Sequence, residues 1–99
     1  MQLTEKQRRH LRGLAHPLKP VILVGNSGVS DAVIAETQRA LGDHELIKVR
    51  LPGLPRDERD MALATLATRA EAALVGRIGH IAILYRPRSD LPRIVLPAG

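Results

Sequence analysis

The chain has 99 residues, which is enough for one domain spanning residues 1–99 and too few for a second hydrophobic core. It contains no cysteine, which excludes disulfides, a thiol nucleophile and thiolate metal sites. Fifteen Lys and Arg residues against ten Asp and Glu residues give a net charge of +5, which favours a polyanionic partner.

Two further classes of protein are disfavoured by the composition. No apolar stretch approaches the length of a membrane span, and the charged N-terminus lacks the apolar segment of a signal peptide, so we expect a cytoplasmic protein. Tyr85 is the only aromatic residue. A surface that stacks several RNA bases on aromatic rings is therefore excluded, and any contact with RNA must use phosphates, 2′-hydroxyls, backbone amides and arginine planes.

The first predicted helix runs from Thr4 to Ala15. Its opening residues, Thr4-Glu5-Lys6-Gln7, fit a capping box, and a 100° spacing puts Leu11 and Leu14 on an apolar side. Residues 1–20 contain five Lys and Arg residues and one Glu, so most of the net charge lies in this first fifth of the chain. Because solvated faces usually mix signs, the basic side is a candidate nucleic-acid contact. Its members are Lys6, Arg8, Arg9 and Arg12, with Lys19 just beyond the helix.

A short apolar run, a glycine turn and a helix start follow in that order. Val21–Val24 is typical of a strand covered on both faces, and we expect it inside the sheet. After the turn Gly25-Asn26-Ser27-Gly28, Ser30 is a good N-cap. Glycines allow close approach of the backbone, and the N–H groups of a helix N-terminus attract anions, so the turn is a candidate phosphate site. Two glycines also occur in turns that only reverse the chain. Neither a Walker nor a dinucleotide pattern is present, so a bound phosphate would belong to a polymer.

The second half of the chain continues the alternation of helices and strands. A helix is expected from Ser30 to Leu41 with Gly42 as its C′ residue, and a strand over Glu45–Leu51. In that strand Lys48 and Arg50 face away from the apolar positions, so one face of the sheet is partly wet and basic. The remaining predictions are a helix over 57–75, a strand over 80–86 and a final strand over 93–96.

The predicted order is therefore α-β-α-β-α-β-β, which indicates an α+β fold. We expect a two-layer α/β domain with a four-stranded mixed sheet and three helices that mainly cover one face. Strands joined through helices should be parallel, and the last two strands should be antiparallel.

Three runs of residues carry a family resemblance: LTEKQRRHLRGLAHPLKPVILVGNSGVSDAVIAE, HELIKVRL and IGHIAILYR. They resemble the CRM domain, the chloroplast RNA splicing and ribosome maturation module, and in particular its free-standing bacterial YhbY-type members. The resemblance spans residues 3–96. It implies an RNA-binding domain whose fold is similar to that of the C-terminal domain of bacterial translation initiation factor three. It also implies a role on precursors of the large ribosomal subunit in bacteria, or in intron splicing in plant organelles.

The resemblance likens the glycine turn to that of KH domains, which clamps the nucleic-acid backbone. Carried onto this chain, the implied RNA-binding residues are Gly25, Asn26, Ser27 and Gly28, with the basic residues Lys6, Arg8, Arg9, Arg12 and Lys19 beside them. The family commonly has G-K-x-G at this turn. Asn26 occupies the position of that lysine, so the turn has one cation fewer. We therefore expect the first helix to contribute more of the RNA affinity.

The leading interpretation is a non-catalytic, monomeric RNA-binding factor without cofactor or metal, in which Lys48 and Arg50 extend the basic track. One alternative is a protein-interaction module on a ribonucleoprotein that uses Arg86, Arg88 and Arg93. Another is a small enzyme acting on phosphates or nucleotides. The four histidines lie in different segments without metal-ligand spacing, and no Ser-His-Asp signature is visible, which disfavours the enzyme.

Overall fold

The expected α+β class, with three helices and a four-stranded mixed sheet, is confirmed in a computed structural model that describes residues 2–99. The bounds are α1 Glu5–Ala15, β1 Pro20–Leu23, α2 Asp31–His44, β2 Leu46–Arg50, α3 Arg56–Arg69, β3 Ala73–Ile78 and β4 Ile81–Tyr85.

The first two helices begin where their caps predict. Thr4 Oγ1 accepts the backbone N–H of Gln7 at 3.1 Å and Gln7 Oε1 accepts that of Thr4 at 3.0 Å, which completes the capping box of α1. At α2, Ser30 Oγ accepts the N–H of Val33 at 3.2 Å. Local hydrogen bonding by side chains therefore fixes both helix starts.

The predicted ends of α2 and α3 are wrong. Helix α2 continues through Gly42 to His44, and Glu45 with φ 64° is its C-cap. Helix α3 stops at Arg69 because Glu71 adopts φ 57°. The N–H groups of Glu71 and Ala72 then bond to the carbonyls of Thr68 (3.2 Å) and Ala67 (2.9 Å), which is a Schellman pattern formed without glycine. The residues after this turn form strand β3 instead of a longer helix.

The strand order across the sheet is β1-β2-β4-β3. Strands β1 and β2 are parallel, whereas β2–β4 and β4–β3 are antiparallel. The expectation that Val21–Val24 lies inside the sheet is wrong, since β1 is an edge strand. Ile22 and Val24 are buried, but Val21 and Leu23 are exposed on the other face. The edge position follows from pairing with β2 alone, and the one-sided cover arises because β1 contributes to the core under α2 and α3 but not to the core under α1.

Both faces of the sheet carry helices. Helices α2 and α3 pack on one face, in a core that includes Ile47, Val49 and Leu66. Helix α1 packs on the opposite face, in a smaller core that includes Leu11 and Tyr85. Two of the three helices share one face, as predicted. Helix α1 forms a partial third layer on the other face, which the predicted two-layer arrangement does not include. The apolar side of α1 packs on this face because α2 and α3 already cover the opposite face of the sheet.

Residues 93–96 do not form the predicted strand. The backbone N–H groups of Arg93 and Ile94 donate to Glu45 Oε1 at 2.7 and 3.0 Å, and that of Arg88 donates to Glu45 Oε2 at 2.8 Å. Ile94 and Leu96 pack against the α1 core. A carboxylate therefore takes the N–H groups that a sheet would otherwise use, and the C-terminal tail, residues 87–99, follows an irregular path.

Candidate nucleic-acid interface

The glycine turn leaves the carboxyl end of β1 and faces solvent. Gly25, Asn26 and Ser27 are exposed, and Gly28 is half-buried. The N–H of Gly28 donates to the carbonyl of Gly25 at 3.0 Å, which closes a tight turn, and Gly28 has φ 76°, a conformation that favours glycine. No heavy atom lies within 4 Å of a Cβ built on either glycine. Another molecule can therefore reach the backbone of this turn.

The start of α2 adds backbone donors directly after the turn. Ser30 N–H is taken by the carbonyl of Gly28 at 3.0 Å, and Val33 N–H by Ser30 Oγ. Helix geometry gives the N–H groups of Asp31 and Ala32 no intrahelical acceptor. The Asp31 carboxylate would repel an anion at this position. Arg69 Nη2 lies 2.9 Å from Asp31 Oδ1 and offsets the carboxylate charge. The helix start is thus suited to a phosphate group.

The basic residues of α1 differ in what they contact. Lys6 and Arg9 are exposed. Arg8 is half-buried, and its Nη1 donates to the carbonyls of Leu74 and Val75 on the edge strand β3. Arg12 Nη2 lies 3.3 Å from Glu5 Oε1, in an ion pair on the helix surface. Lys6 and Arg9 are therefore the better placed of the four for contact with an outside anion.

The predicted basic residues on β2 lie on the α1 face of the sheet, between the end of α1 and the turn. Lys48 Nζ donates to the carbonyls of His16 (3.1 Å) and Leu18 (3.0 Å), so it fastens the segment after α1. Arg50 is exposed, and its backbone is in register with Leu23 of β1. Lys19, also exposed, precedes β1. The last turn of α1, β2 and the glycine turn therefore form a continuous surface.

The N-terminal end of α1 lies further from the turn. A helix rises about 1.5 Å per residue, so Lys6 is about 15 Å along the axis from His16, the residue next to Lys48. The structure brings together the turn and Arg50, with Lys48 two residues before Arg50 on β2. It leaves Lys19, at the opposite end of β1, and Lys6 further from the turn. A single small anion cannot contact all of the predicted residues, whereas a polymer several nucleotides long can.

The β3–β4 turn, for which the sequence predicts no RNA contact, lies at the same end of the sheet. The sequence predicts a turn over residues 76–79, but residues 76–78 belong to β3. His80 is exposed, and its carbonyl accepts the N–H of Leu51 at 2.8 Å. Arg77 is exposed, and its Nη1 donates to the carbonyl of Gly79 at 2.6 Å. Gly79 has φ 59°, and a glycine in a two-residue turn is the hairpin signal that could have identified β3 before it.

Other candidate sites receive less support. Arg86 donates to the carbonyls of Ala70 (2.9 Å) and Gln38 (3.1 Å), so it is held inside the fold rather than offered to a protein partner. Tyr85 is buried, and burial followed by the charge of Glu45 raises the pKa of its hydroxyl. Within residues 2–99 no three His, Asp or Glu side chains cluster as metal ligands, and no helix is long and apolar enough to cross a membrane.

Residues 3–86 match the family model of the CRS1/YhbY (CRM) domain. The chain belongs to this family. It is 43% identical over 95 residues to a Haemophilus influenzae protein named RNA-binding protein, covering 96% of this chain and 95% of that one. It is 41% identical to a Pseudomonas aeruginosa protein named a probable RNA-binding protein, over 100% of this chain and 99% of the relative.

A solved structure has the same fold. The solution structure of a Staphylococcus aureus protein superposes with a TM-score of 0.84 at 33% identity, covering 97% of this chain and all of that one. The CRM match includes every helix and strand and all eleven predicted RNA-binding residues. Glu45 lies inside the matched range, and the tail that it holds, residues 87–99, lies beyond it.

Proposed function

We propose that this CRM-domain protein binds RNA without catalysis, by holding the sugar-phosphate backbone in the exposed glycine turn and the start of α2. The observation that carries the proposal is the solvent-facing Gly25–Gly28 turn, which opens directly onto helix amides that lack intrahelical acceptors. Membership of a family whose relatives are named RNA-binding proteins supports it.

The basic residues supply the long-range attraction in this proposal. Arg50 lies nearest to the turn and neutralises the adjacent phosphates, and Lys19, at the opposite end of β1, extends the track together with Arg9 and Lys6 on α1. Lys48, Arg8 and Arg12 contribute charge, although each is also engaged within the protein. Contacts to phosphates position RNA without reading its sequence, so selectivity comes from RNA shape.

The proposed cellular role is based on the family resemblance. We place the protein in the cytoplasm, as a monomeric single domain that assists assembly of the large ribosomal subunit by binding its precursor RNA. A net charge of +5 and a basic surface at the glycine turn suit a large polyanion of this kind.

Three variants that each lower the net charge by two test the site. Asn26→Asp combined with Ser27→Asp repels phosphate at the turn, and Arg9→Glu repels it on α1. Arg39→Glu, on the exposed side of α2, is the matched control. We expect the turn variant to lower RNA affinity about tenfold or more, because it replaces an anion site with two anions. Arg9→Glu should lower affinity severalfold, and Arg39→Glu should have the smallest effect.

The measurement is fluorescence anisotropy of a labelled ribosomal RNA fragment, with thermal unfolding used to verify that each variant is folded. Equal losses in all three variants would mean that affinity follows net charge alone and would contradict a defined site. Full affinity in the folded turn variant would remove the turn from the interface. Turnover of nucleotide by the pure protein would contradict the non-catalytic assignment.

A further inference from the structure

The sheet leaves part of its α1 face uncovered beside the glycine turn. Strand register aligns one residue from each strand across this end of the sheet: Leu23 with Arg50, Arg50 with Ile81, and Ile81 with Ile78. We call these four residues the sheet row. Leu23 and Ile78 are 69% and 67% exposed, Arg50 is exposed and Ile81 is half-buried. The row is an aliphatic surface with one guanidinium at its centre.

A hollow adjoins the sheet row on the side of α1. It has a volume of about 210 Å³ and is lined by His16, Lys48, Ile78, Ile81 and Ile83. The floor is aliphatic, and the two cationic or titratable side chains stand at its α1 side. The exposed aliphatic residues form a patch at one end of one sheet face, with a hollow among them. Such a patch is typical of a binding surface.

The position of the row points to what covers it. Leu23 precedes Gly25 by two residues, a span of at most about 7 Å, so the row begins beside the backbone amides of the turn. The row and the hollow contain no Asp or Glu residue. A second copy of the chain packed symmetrically on the row would bring two Arg50 side chains together, which disfavours self-association.

We infer that the sheet row binds an unpaired RNA base of a strand whose backbone phosphates lie on the glycine turn. A base offers a flat, uncharged face to aliphatic side chains and stacks on an arginine plane, while its anionic backbone remains outside. The row therefore replaces the aromatic platform that this chain lacks. Paired bases keep their faces inside the helix, so the protein selects single-stranded or looped RNA over duplex. This inference rests on the proposed function and specifies its substrate class.

The test compares two RNAs of equal phosphate number, one unstructured strand and one fully paired hairpin. In the double variant Leu23→Thr with Ile78→Thr, affinity for the unstructured RNA should fall about fivefold to tenfold, because base stacking on the row is lost. Affinity for the hairpin should change by less than about twofold, since phosphate contacts remain. Met61→Thr is the control: Met61 is 72% exposed on α3, on the opposite face of the sheet.

A second readout follows the base itself. The fluorescence of 2-aminopurine placed in the unstructured RNA should change on binding to the unaltered protein and should change less with the double variant. Unchanged affinity in the folded double variant, or equal losses for both RNAs, would overturn the inference while leaving the proposed function intact. A change in oligomeric state in the double variant would identify the row as a self-interface and would also overturn it. If the unaltered protein binds neither RNA, the proposed function falls as well.

Discussion

Glu45 has a backbone conformation that non-glycine residues rarely adopt, and its side chain joins the end of α2 to the C-terminal tail. Its φ of 64° carries a free-energy cost of about 1 kcal/mol or more in a non-glycine residue, and its side chain is fully buried. Burial alone would raise the pKa of the Glu45 carboxyl. Three backbone N–H donors from the tail and the charge of Arg88 instead lower that pKa below its ordinary value of 4.5.

This lowered pKa makes stability depend on pH in a defined direction. A group whose pKa is lowered by folding stabilises the folded state when it is ionised, so the contribution of Glu45 is complete above pH 4.5 and is lost as the pH falls through the lower folded value. Glu45→Gln should reduce the free energy of unfolding at pH 7 by about 1–3 kcal/mol, because the amide NH₂ cannot accept a backbone N–H. The difference between the two proteins should shrink as the pH falls below 4.5.

Thermal unfolding between pH 3 and 7 measures this difference, since 1 kcal/mol corresponds to about 4–8 °C in Tm for a domain of this size. Glu36→Gln, at an exposed position on α2, is the control and should leave the Tm almost unchanged. A stability difference that stays constant over the whole pH range would show that the charge of Glu45 is not what holds the tail.

At the scale of helices and strands, α2 and α3 are both followed by a glutamate with positive φ, which is Glu45 directly after α2 and Glu71 two residues after α3. The two glutamates have different roles. Glu71 is exposed and forms only a backbone turn, whereas Glu45 also binds the tail through its side chain. Glu71→Gly should raise the free energy of unfolding by about 1 kcal/mol, because glycine adopts this φ without steric cost. Glu45→Gly should lower it by about 2 kcal/mol or more, because three partly buried N–H groups lose their acceptor.

Chemical denaturation at pH 7 gives both values, and the slope of the transition verifies that each variant unfolds as the parent does. Gly42→Ala is a useful third variant. The glycine lies inside α2 with no atom within 4 Å of an added Cβ, so alanine should stabilise by about 0.5–1 kcal/mol. If Glu45→Gly proved as stable as Glu71→Gly, the side chain of Glu45 would have no role in fastening the tail.

These helix ends also mark the limit of what the sequence could predict. The caps at Thr4 and Ser30 depend on residues three positions apart, so local pattern located both. The helix ends near Glu45 and Glu71 lack the usual glycine. The path of the tail depends on hydrogen bonds to the Glu45 carboxylate, which is more than 40 residues away in the sequence. Similarly, Arg8 and Arg9 are alike in sequence, but only the packing of α1 on β3 turns Arg8 inward. The edge position of β1 likewise depends on long-range strand pairing.

For the whole molecule, charge is distributed unevenly around the sheet. Most of the net charge of +5 lies in the first 20 residues, which lead into β1 and the glycine turn. Four exposed cations, Lys6, Arg9, Lys19 and Arg50, belong to the proposed track. If each neutralises one phosphate of a single strand, log affinity should fall by about 3 for each tenfold rise in salt.

Adding a cation at the turn tests whether this track passes through it. Asn26 is exposed and does not have a positive φ, so lysine fits there without backbone strain. If the new ammonium neutralises one more phosphate, Asn26→Lys should steepen the salt dependence by about 0.7 and raise affinity severalfold at low salt. Ala64→Lys adds the same charge at an exposed position on α3 and should leave the slope nearly unchanged. Titrations at four or more salt concentrations separate these results, because a general effect of net charge would steepen both slopes equally and a track that bypasses the turn would steepen neither.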